Sequence, residues 1–358
     1  MIRLLKNMLK LNKKQQKILE IFLKKDQLSS SQVHSELTIL KEEGSLVTIK
    51  RALSEMARLN LLKTSGGGRS TVYSLKTLGR ILTGVNTKEY CAIEPDKRFG
   101  QKQYNFDLFS DFPDEIFSNN ELENLKSATA QYKQRIKKIS KTIQKKELER
   151  LVVELSWKSS KIEGNTYSLL DTEKLLLENK VASNKTKDET QMILNHKAAF
   201  DFVHKNAKQF KTLNRKNMEE LHAILVKNLG VDFGLRKKPV GVIGSIYQPL
   251  DNIYQIAEAV EGLCKTIAQT KTPYDKAFLA LIGLSYIQPF EDGNKRTSRL
   301  MANAILLAHG LAPLSYRSID EDEYREALLV FYEINAIEPF KKIFVEQYIF
   351  SAENYSVK

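Results

Sequence analysis

The stretch that most constrains this chain is Gln288-Pro289-Phe290-Glu291-Asp292-Gly293-Asn294-Lys295-Arg296-Thr297-Ser298-Arg299. An apolar helical run ends at Tyr286-Ile287, just before Pro289, whose ring supplies no backbone N–H. Glu291 to Asn294 has turn composition, and Lys295 to Arg299 opens the next helix. A turn that feeds a helix presents several unpaired backbone N–H groups. The helix dipole adds partial positive charge there. Lys295, Arg296 and Arg299 crowd that same end. Cations are unfavourable at a helix start unless a polyanion sits among them. Asp292 is the one group suited to hold Mg2+ against phosphates. The segment therefore reads as a phosphate-holding loop.

The remainder bounds the setting. A chain of 358 residues is long enough for two or three domains with a sizeable core. No stretch approaches the roughly 18 apolar residues of a membrane span, and Met1 to Lys6 lacks the apolar core of a signal peptide. Cys91 and Cys264 stand far apart, without metal-ligand spacing, and the five histidines are scattered. A cytoplasmic location with no membrane partner is expected. The net charge is +13, and residues 1–90 hold 17 Lys+Arg against 7 Asp+Glu, an excess of ten. A local excess says more about a partner than a global one does.

The spacing predicts helices over 14–25, through Val33 and Leu37 behind a Ser29/Gln32 capping box, and from about 46 to 60. Beyond Ser65-Gly66-Gly67-Gly68-Arg69, residues 70–75 alternate like a strand. This order resembles the winged helix-turn-helix family over roughly 12–80. The resemblance implies DNA contacts from Thr48, Lys50, Arg51 and Arg58 on the third helix, and from Lys63 and Arg69 on the wing. A winged helix used for protein contacts or dimerisation is the other reading. Residues 85–120 read as an irregular linker. A helix restarts at 119 and runs to about 155. Its basic run, Lys133 to Lys146, reads as a solvated face sooner than a nucleic-acid surface. Val240 to Pro249 reads as a β-hairpin. Helices follow at about 252–270, 274–286, 295–309, 320–335 and 338–352, with a Ser318/Glu321 capping box and Gly310 as a C-cap.

At the loop itself the chain resembles the Fic family, whose signature is H-x-F-x-[DE]-G-N-[GK]-R-x-x-R. Phe290, Asp292, Gly293, Asn294, Lys295, Arg296 and Arg299 match it. Ser159 and Glu163, within Trp157 to Asn165, are similar to the family's inhibitory helix, and Gly234-Leu235-Arg236 followed by 240–249 to its target-docking flap. The resemblance spans roughly 120–350. It implies ATP and Mg2+ as cofactors and transfer of AMP to a Ser, Thr or Tyr hydroxyl of a target protein. Asp292 would bind the metal. Gly293, Asn294 and Lys295 would cradle phosphates, with Asn294 also counted as catalytic. Arg296 would hold the β/γ end, and Arg299 would meet the γ-phosphate or pair with Glu163. Val242, Ile243 and Gly244 would clamp the target by strand addition.

Two positions depart from the family pattern. Gln288 stands where the family has its catalytic histidine, and an amide cannot accept a proton at neutral pH. His309, about 22 Å further along a helix, does not replace it. Lys295 is glycine in the commonest form, and lysine also occurs in the phosphate-transferring Doc branch.

The expected fold class is mainly α. A winged helix domain (1–90) and a linker (91–120) precede a Fic-type helical core (121–358) with an inhibitory helix at about 150–165 and a short β-hairpin flap. The expected function is an AMP transferase restrained by Glu163 and impaired at Gln288. The alternative is a DNA-binding regulator, contacting DNA through 1–90, with a catalytically dead, nucleotide-sensing Fic domain. Removal of AMP ranks third, and a homodimer stays open.

Overall fold

In the computed structural model, residues 11–42 and 44–357 are described. The chain is mainly helical, and its contacts divide it into two compact units, each discontinuous in sequence.

The first unit comprises residues up to Ile116 together with Gly241–Gln248 and Arg325–Lys341. Helix α1 (Lys13–Lys24) starts at an Asn12/Gln15 capping box and buries Ile18, Leu19, Ile21 and Phe22. Strand β1 (Leu28–Ser29) precedes α2 (Ser30–Ile39), which carries the expected Ser29/Gln32 box. Helix α3 (Leu46–Arg58) follows, then β2 (Leu62–Ser65), β3 (Val72–Leu75) and two short helices, α4 (Thr77–Ile81) and α5 (Thr87–Cys91). The sheet is antiparallel in the order β1-β3-β2, with Leu28 opposite Tyr73 and Leu62 opposite Leu75. Strand β1 has only two residues, too few to leave an alternating signature in the sequence.

The expected linker is ordered. Tyr104, Leu108, Phe112 and Ile116 are buried. The segment 240–249 forms no hairpin. It is an extended loop with one turn, in which Ser245 N–H donates to Val242 O at 3.1 Å. Alternating β-type residues do not make a ladder unless two strands meet in register, and here the loop's hydrogen bonds go elsewhere.

The second unit comprises Phe117–Val240, Pro249–Tyr324 and the chain from Lys342 onward. Where one long helix was expected there are two, α6 (Asn119–Lys138) and α7 (Lys141–Ile162). Ile139 is extended, and the Ser140 hydroxyl accepts from Ile143 N–H at 3.3 Å, so α7 has its own N-cap. Helices α8 (Leu169–Glu178), α9 (Lys187–Lys205), α10 (Arg215–Leu225), α11 (Ile253–Gln269), α12 (Pro273–Ile287) and α13 (Asn294–Ala308) follow. Helix α12 is apolar all round, burying every residue from Ala277 to Ile287, which places it at the centre of the unit.

Helices α14 (Glu321–Ile334) and α15 (Glu338–Asn354) complete the chain. The start of α14 is capped by Asp320, which accepts from the N–H groups of Asp322 and Glu323 at 3.0 and 2.9 Å. It is not capped by the Ser318/Glu321 box, because Glu321 is drawn to Lys158 and Lys161. Gly310 ends α13 as expected: it donates to Leu307 O while Leu311 donates to Leu306 O. Among the described residues no helix is long and apolar enough to cross a membrane.

Close approach fixes one glycine of the first unit. A Cβ on Gly79 would lie 2.4 Å from Leu61 O and 2.8 Å from Leu75 Cδ1. Gly79→Ala is expected to force α4 off the sheet and cost about 1–3 kcal/mol, as overpacking does. Denaturant melting of the two proteins checks this; equal midpoints would refute it.

Candidate active site

The 288–299 loop joins the central helix α12 to α13. Gln288 is the C-cap of α12 and is left-handed, at φ 51° and ψ 57°. A non-glycine residue held there costs of order 1–3 kcal/mol and needs support from its surroundings. The support is visible. Gln288 Nε2 donates to Ser285 O at 2.6 Å. Its carbonyl accepts from Arg236 Nε at 2.7 Å, and Pro289 O accepts from Arg236 N–H at 3.0 Å. The buried Arg236 guanidinium also donates to the carbonyls of Lys238 and Leu250.

Asn294 closes the loop. Its Oδ1 accepts from Phe290 N–H and its Nδ2 donates to Phe290 O, both at 2.8 Å. The side chain is thereby committed to the backbone, and what it offers an anion is its N–H at the start of α13. Gly293, at φ 77°, is the N-cap of α13 and brings no side chain to satisfy the first-turn amides. Helices α12 and α13 are further joined by Ser285 and Ser298, whose hydroxyls lie 2.8 Å apart.

The cations surround one carboxylate. Arg299 is fully buried and its Nη2 lies 2.9 Å from Glu163 Oε1. Its Nε donates to Ser159 Oγ at 2.9 Å and its Nη2 to Ser159 O at 2.8 Å. Lys295 Nζ stands 3.4 Å from Glu163 Oε2. Burial alone would raise the Glu163 carboxyl, but Arg299, Lys295 and Arg296 outweigh it and hold it below the ordinary carboxylate value. Glu163 is thus an ionised internal anion at the end of α7. That end is pinned by Lys158 and Lys161, which both reach Glu321.

The remaining groups fit a phosphate–metal ligand. Arg296 is 2% exposed, and its Nη1 has no hydrogen-bond partner among the described residues. Its Nη2 pairs with Asp292 Oδ2 at 2.7 Å, and the Asp292 side chain is 62% exposed. No cluster of three or more His, Cys, Asp or Glu that could hold a metal occurs among the described residues. A single exposed carboxylate suits Mg2+, which is commonly held by one or two carboxylates plus substrate phosphates.

Two histidines carry structure that the sequence did not disclose. His222 stacks on Phe290, with ring centroids 3.8 Å apart, and its Nε2 donates to Asp292 O at 2.9 Å. It belongs to the buried face of α10 with Met218, Leu221 and Leu225, and it lies 70 positions from the loop it supports. No local pattern reveals such a contact. His196 on α9 is fully buried, with Nδ1 3.3 Å from Ser156 Oγ. Of the other expected site residues, Thr48, Lys50, Arg51, Arg58, Lys63 and Arg69 are all exposed in the first unit. Val242 is half-buried, and Ile243 and Gly244 are exposed, in the loop of that same unit.

The fold and loop are those of a Fic-type domain. Residues 212–306 match the Fic/DOC family. The chain is 29% identical over 188 residues to the protein adenylyltransferase Fic of Drosophila melanogaster, covering 52% of this chain and 38% of that one. It is 31% identical over 191 residues to the protein of the same name from Culex quinquefasciatus, with the same coverage. The match therefore spans well under half the length of these curated relatives. Among solved structures, a Fic domain containing signaling protein from Bacteroides thetaiotaomicron superposes with TM-score 0.56 at 20% identity, covering 64% of this chain and 94% of that one. Fic-1 from C. elegans does so with TM-score 0.56 at 21% identity, covering 66% and 72%. Residues 212–306 of this chain thus match a Fic/DOC-family domain, within a fold shared with solved Fic structures.

The two histidines make acid sensitivity a test of this packing. Burial holds His222 at about 4 and His196 at about 3, against an ordinary 6.5. Both are neutral when folded, so the unfolded chain takes up about two more protons as pH falls from 6.5 toward 4. Stability should be full above pH 6.5 and fall below it. In urea melts, His222→Gln should remove about one proton from that slope; an unchanged slope would contradict the assignment.

Proposed function

We propose that this chain is a Fic-type adenylyltransferase that binds ATP–Mg2+ at residues 292–299, is held back by Glu163, and transfers slowly because Gln288 replaces the general base. The observation that carries this reading is the buried Arg299–Glu163 pair at 2.9 Å, with Lys295 beside it and Arg296 Nη1 unpartnered. These are cations gathered at a helix start, where phosphates are favoured. The carboxylate occupies a position suited to the end of a polyphosphate.

In the proposed reaction a target hydroxyl oxygen forms a bond to the α-phosphorus. The bond to the bridging oxygen breaks, and pyrophosphate leaves with that electron pair. Mg2+, held by Asp292, would neutralise charge on the phosphates. The amides of the first turn of α13 and the Arg296 guanidinium would orient them. Arg299 would take the terminal phosphate once Glu163 yields it. The hydroxyl proton passes to solvent water, since the Gln288 amide cannot accept it. Its Nε2 is turned to Ser285 O. Positioning and charge stabilisation remain, which supports slow transfer.

A second reading concerns the first unit. Thr48, Lys50, Arg51 and Arg58 on α3, with Lys63 and Arg69 beyond it, are exposed and mostly basic. This favours a winged helix that binds DNA alongside the nucleotide site. Binding should then weaken steeply with salt, and Lys50→Ala with Arg51→Ala should lower the slope of log K against log salt by about two. The absence of a gel shift at low salt would remove this reading.

The enzyme reading is tested with α-labelled ATP. Restoring a general base by Gln288→His should raise label transfer by about 10²–10⁴, and Glu163→Gly should raise it further. If the double variant binds ATP–Mg2+ by calorimetry yet labels neither itself nor proteins of a lysate, the reading fails.

A further inference from the structure

The loop 241–248 belongs to the same compact unit as the N-terminal helices and the linker. Its attachment centres on Glu333 of α14, whose side chain is fully buried. Four donors converge on that carboxylate. Ser245 Oγ donates at 2.7 Å and Ile246 N–H at 3.2 Å, both from the loop. Tyr90 Oη on α5 donates at 2.6 Å and Arg98 Nη1 at 3.2 Å. Arg98 is equally committed: Nη1 also donates to Gly244 O at 2.8 Å, Nε to Ile93 O at 2.9 Å and Nη2 to Cys91 O at 3.1 Å. The linker adds backbone bonds on both sides. Gln101 N–H donates to Glu333 O at 2.6 Å, and Gln248 N–H donates to Lys102 O at 2.7 Å.

Nothing in nucleotide handling calls for these groups. A buried carboxylate is costly unless paired and fully hydrogen-bonded, and this one takes both its charge partner and its donors from two segments far from it in sequence. Gly100 shows how closely they meet: a Cβ there would lie 2.7 Å from Glu333 Cβ and from Tyr90 Oη, and 3.0 Å from Ile246 Cδ1. Tyr90 is itself set in a core cluster with Leu23 of α1, Val330, Ile334 and Ala336, against which Leu75 of β3 packs. The loop holds Gly244 through its carbonyl while Ile243 stands fully exposed, so its base is fixed and Ile243 is presented to a partner.

We infer that Glu333 and Arg98 are positioning residues for the target-docking loop, so that the linker and α14 set the conformation in which Val242 to Gly244 receives a target segment. The inference rests on the proposed reading of that loop as the target clamp. The linker is then a working part of substrate recognition, and not a tether between domains. The occupant of the tip is an extended peptide segment bearing a hydroxyl, which would pair with its backbone.

The test uses the full chain and reads the loop directly. Amide hydrogen exchange is followed at 241–248 in wild type, Ser245→Ala, Arg98→Lys and Glu333→Gln. Each lost hydrogen bond should raise exchange there by roughly fivefold or more, in line with a typical net bond contribution. Exchange at 293–299 and ATP–Mg2+ affinity should stay within about twofold, because the hydrogen bonds removed join residues of the first unit. Ser245→Ala removes one hydroxyl and spares the core, so it reports on the loop even if Glu333→Gln fails to fold. In the Gln288→His background, Ser245→Ala and Arg98→Lys should lower self-labelling at saturating ATP by about fivefold or more. Unchanged exchange at 241–248 in Ser245→Ala and Arg98→Lys would overturn the inference, as would raised exchange with self-labelling unaffected. If Gln288→His labels nothing, the transferase reading falls, and the exchange measurement alone still decides whether these residues hold the loop.

Discussion

The pairing of Arg299 with Glu163 is the interaction on which the rest of the site depends. A guanidinium with no exposure must have a counter-charge, since an unpaired buried charge is prohibitive and removing one partner of a buried pair costs about 3–5 kcal/mol. Arg299 meets this need at the end of α7, with the Ser159 hydroxyl and carbonyl on one side and the Glu163 carboxylate on the other, and the Tyr324 ring 5.7 Å from its guanidinium. Glu163 keeps 18% of its side-chain surface exposed while Arg299 keeps none. In the proposed function the arginine stays in place and the carboxylate is the partner that exchanges. A polyphosphate could take its place without leaving the arginine bare.

That exchange needs a rigid frame, and α12 with α13 provides it. The apolar sequence of α12 buries it on all sides. The chain must then reverse within a few residues to start α13, and the reversal is over-determined: Asn294 bonds both backbone groups of Phe290, His222 stacks on the Phe290 ring, and Arg236 holds the carbonyl of Gln288. Backbone strain at Gln288 is carried by these contacts. The residue at this position is presented by the fold whatever its side chain can do chemically. An amide is thus accommodated at this position with the architecture in place.

The first unit adds a different principle. Its second buried carboxylate, Glu333, gathers donors from α5, the linker and the loop 241–248. Loops gain precision when their bases are tied to packed elements while their tips stay exposed. Composition concealed this. Residues 85–120 contain prolines, a glycine and few periodic positions, which reads as a connector. Their order comes from partners more than 200 positions away, such as Glu333 for Tyr90.

The sequence by itself determined the helical class, most helix positions and the cation-rich helix start in 288–299, because periodicity, caps and clustered cations are local properties. It also paired Glu163 with Arg299 through the family resemblance. It misjudged 240–249 as a hairpin and fused α6 with α7, since a ladder needs a second strand and a single serine cap can outweigh helical composition. Only the tertiary structure decided that the side chain of Asn294 serves the loop, that His222 and Arg236 support it, and that Glu333 holds the loop at 241–248. Each of these contacts joins residues whose separation carries no pattern, and each exists because buried polar groups must find partners wherever the fold brings them.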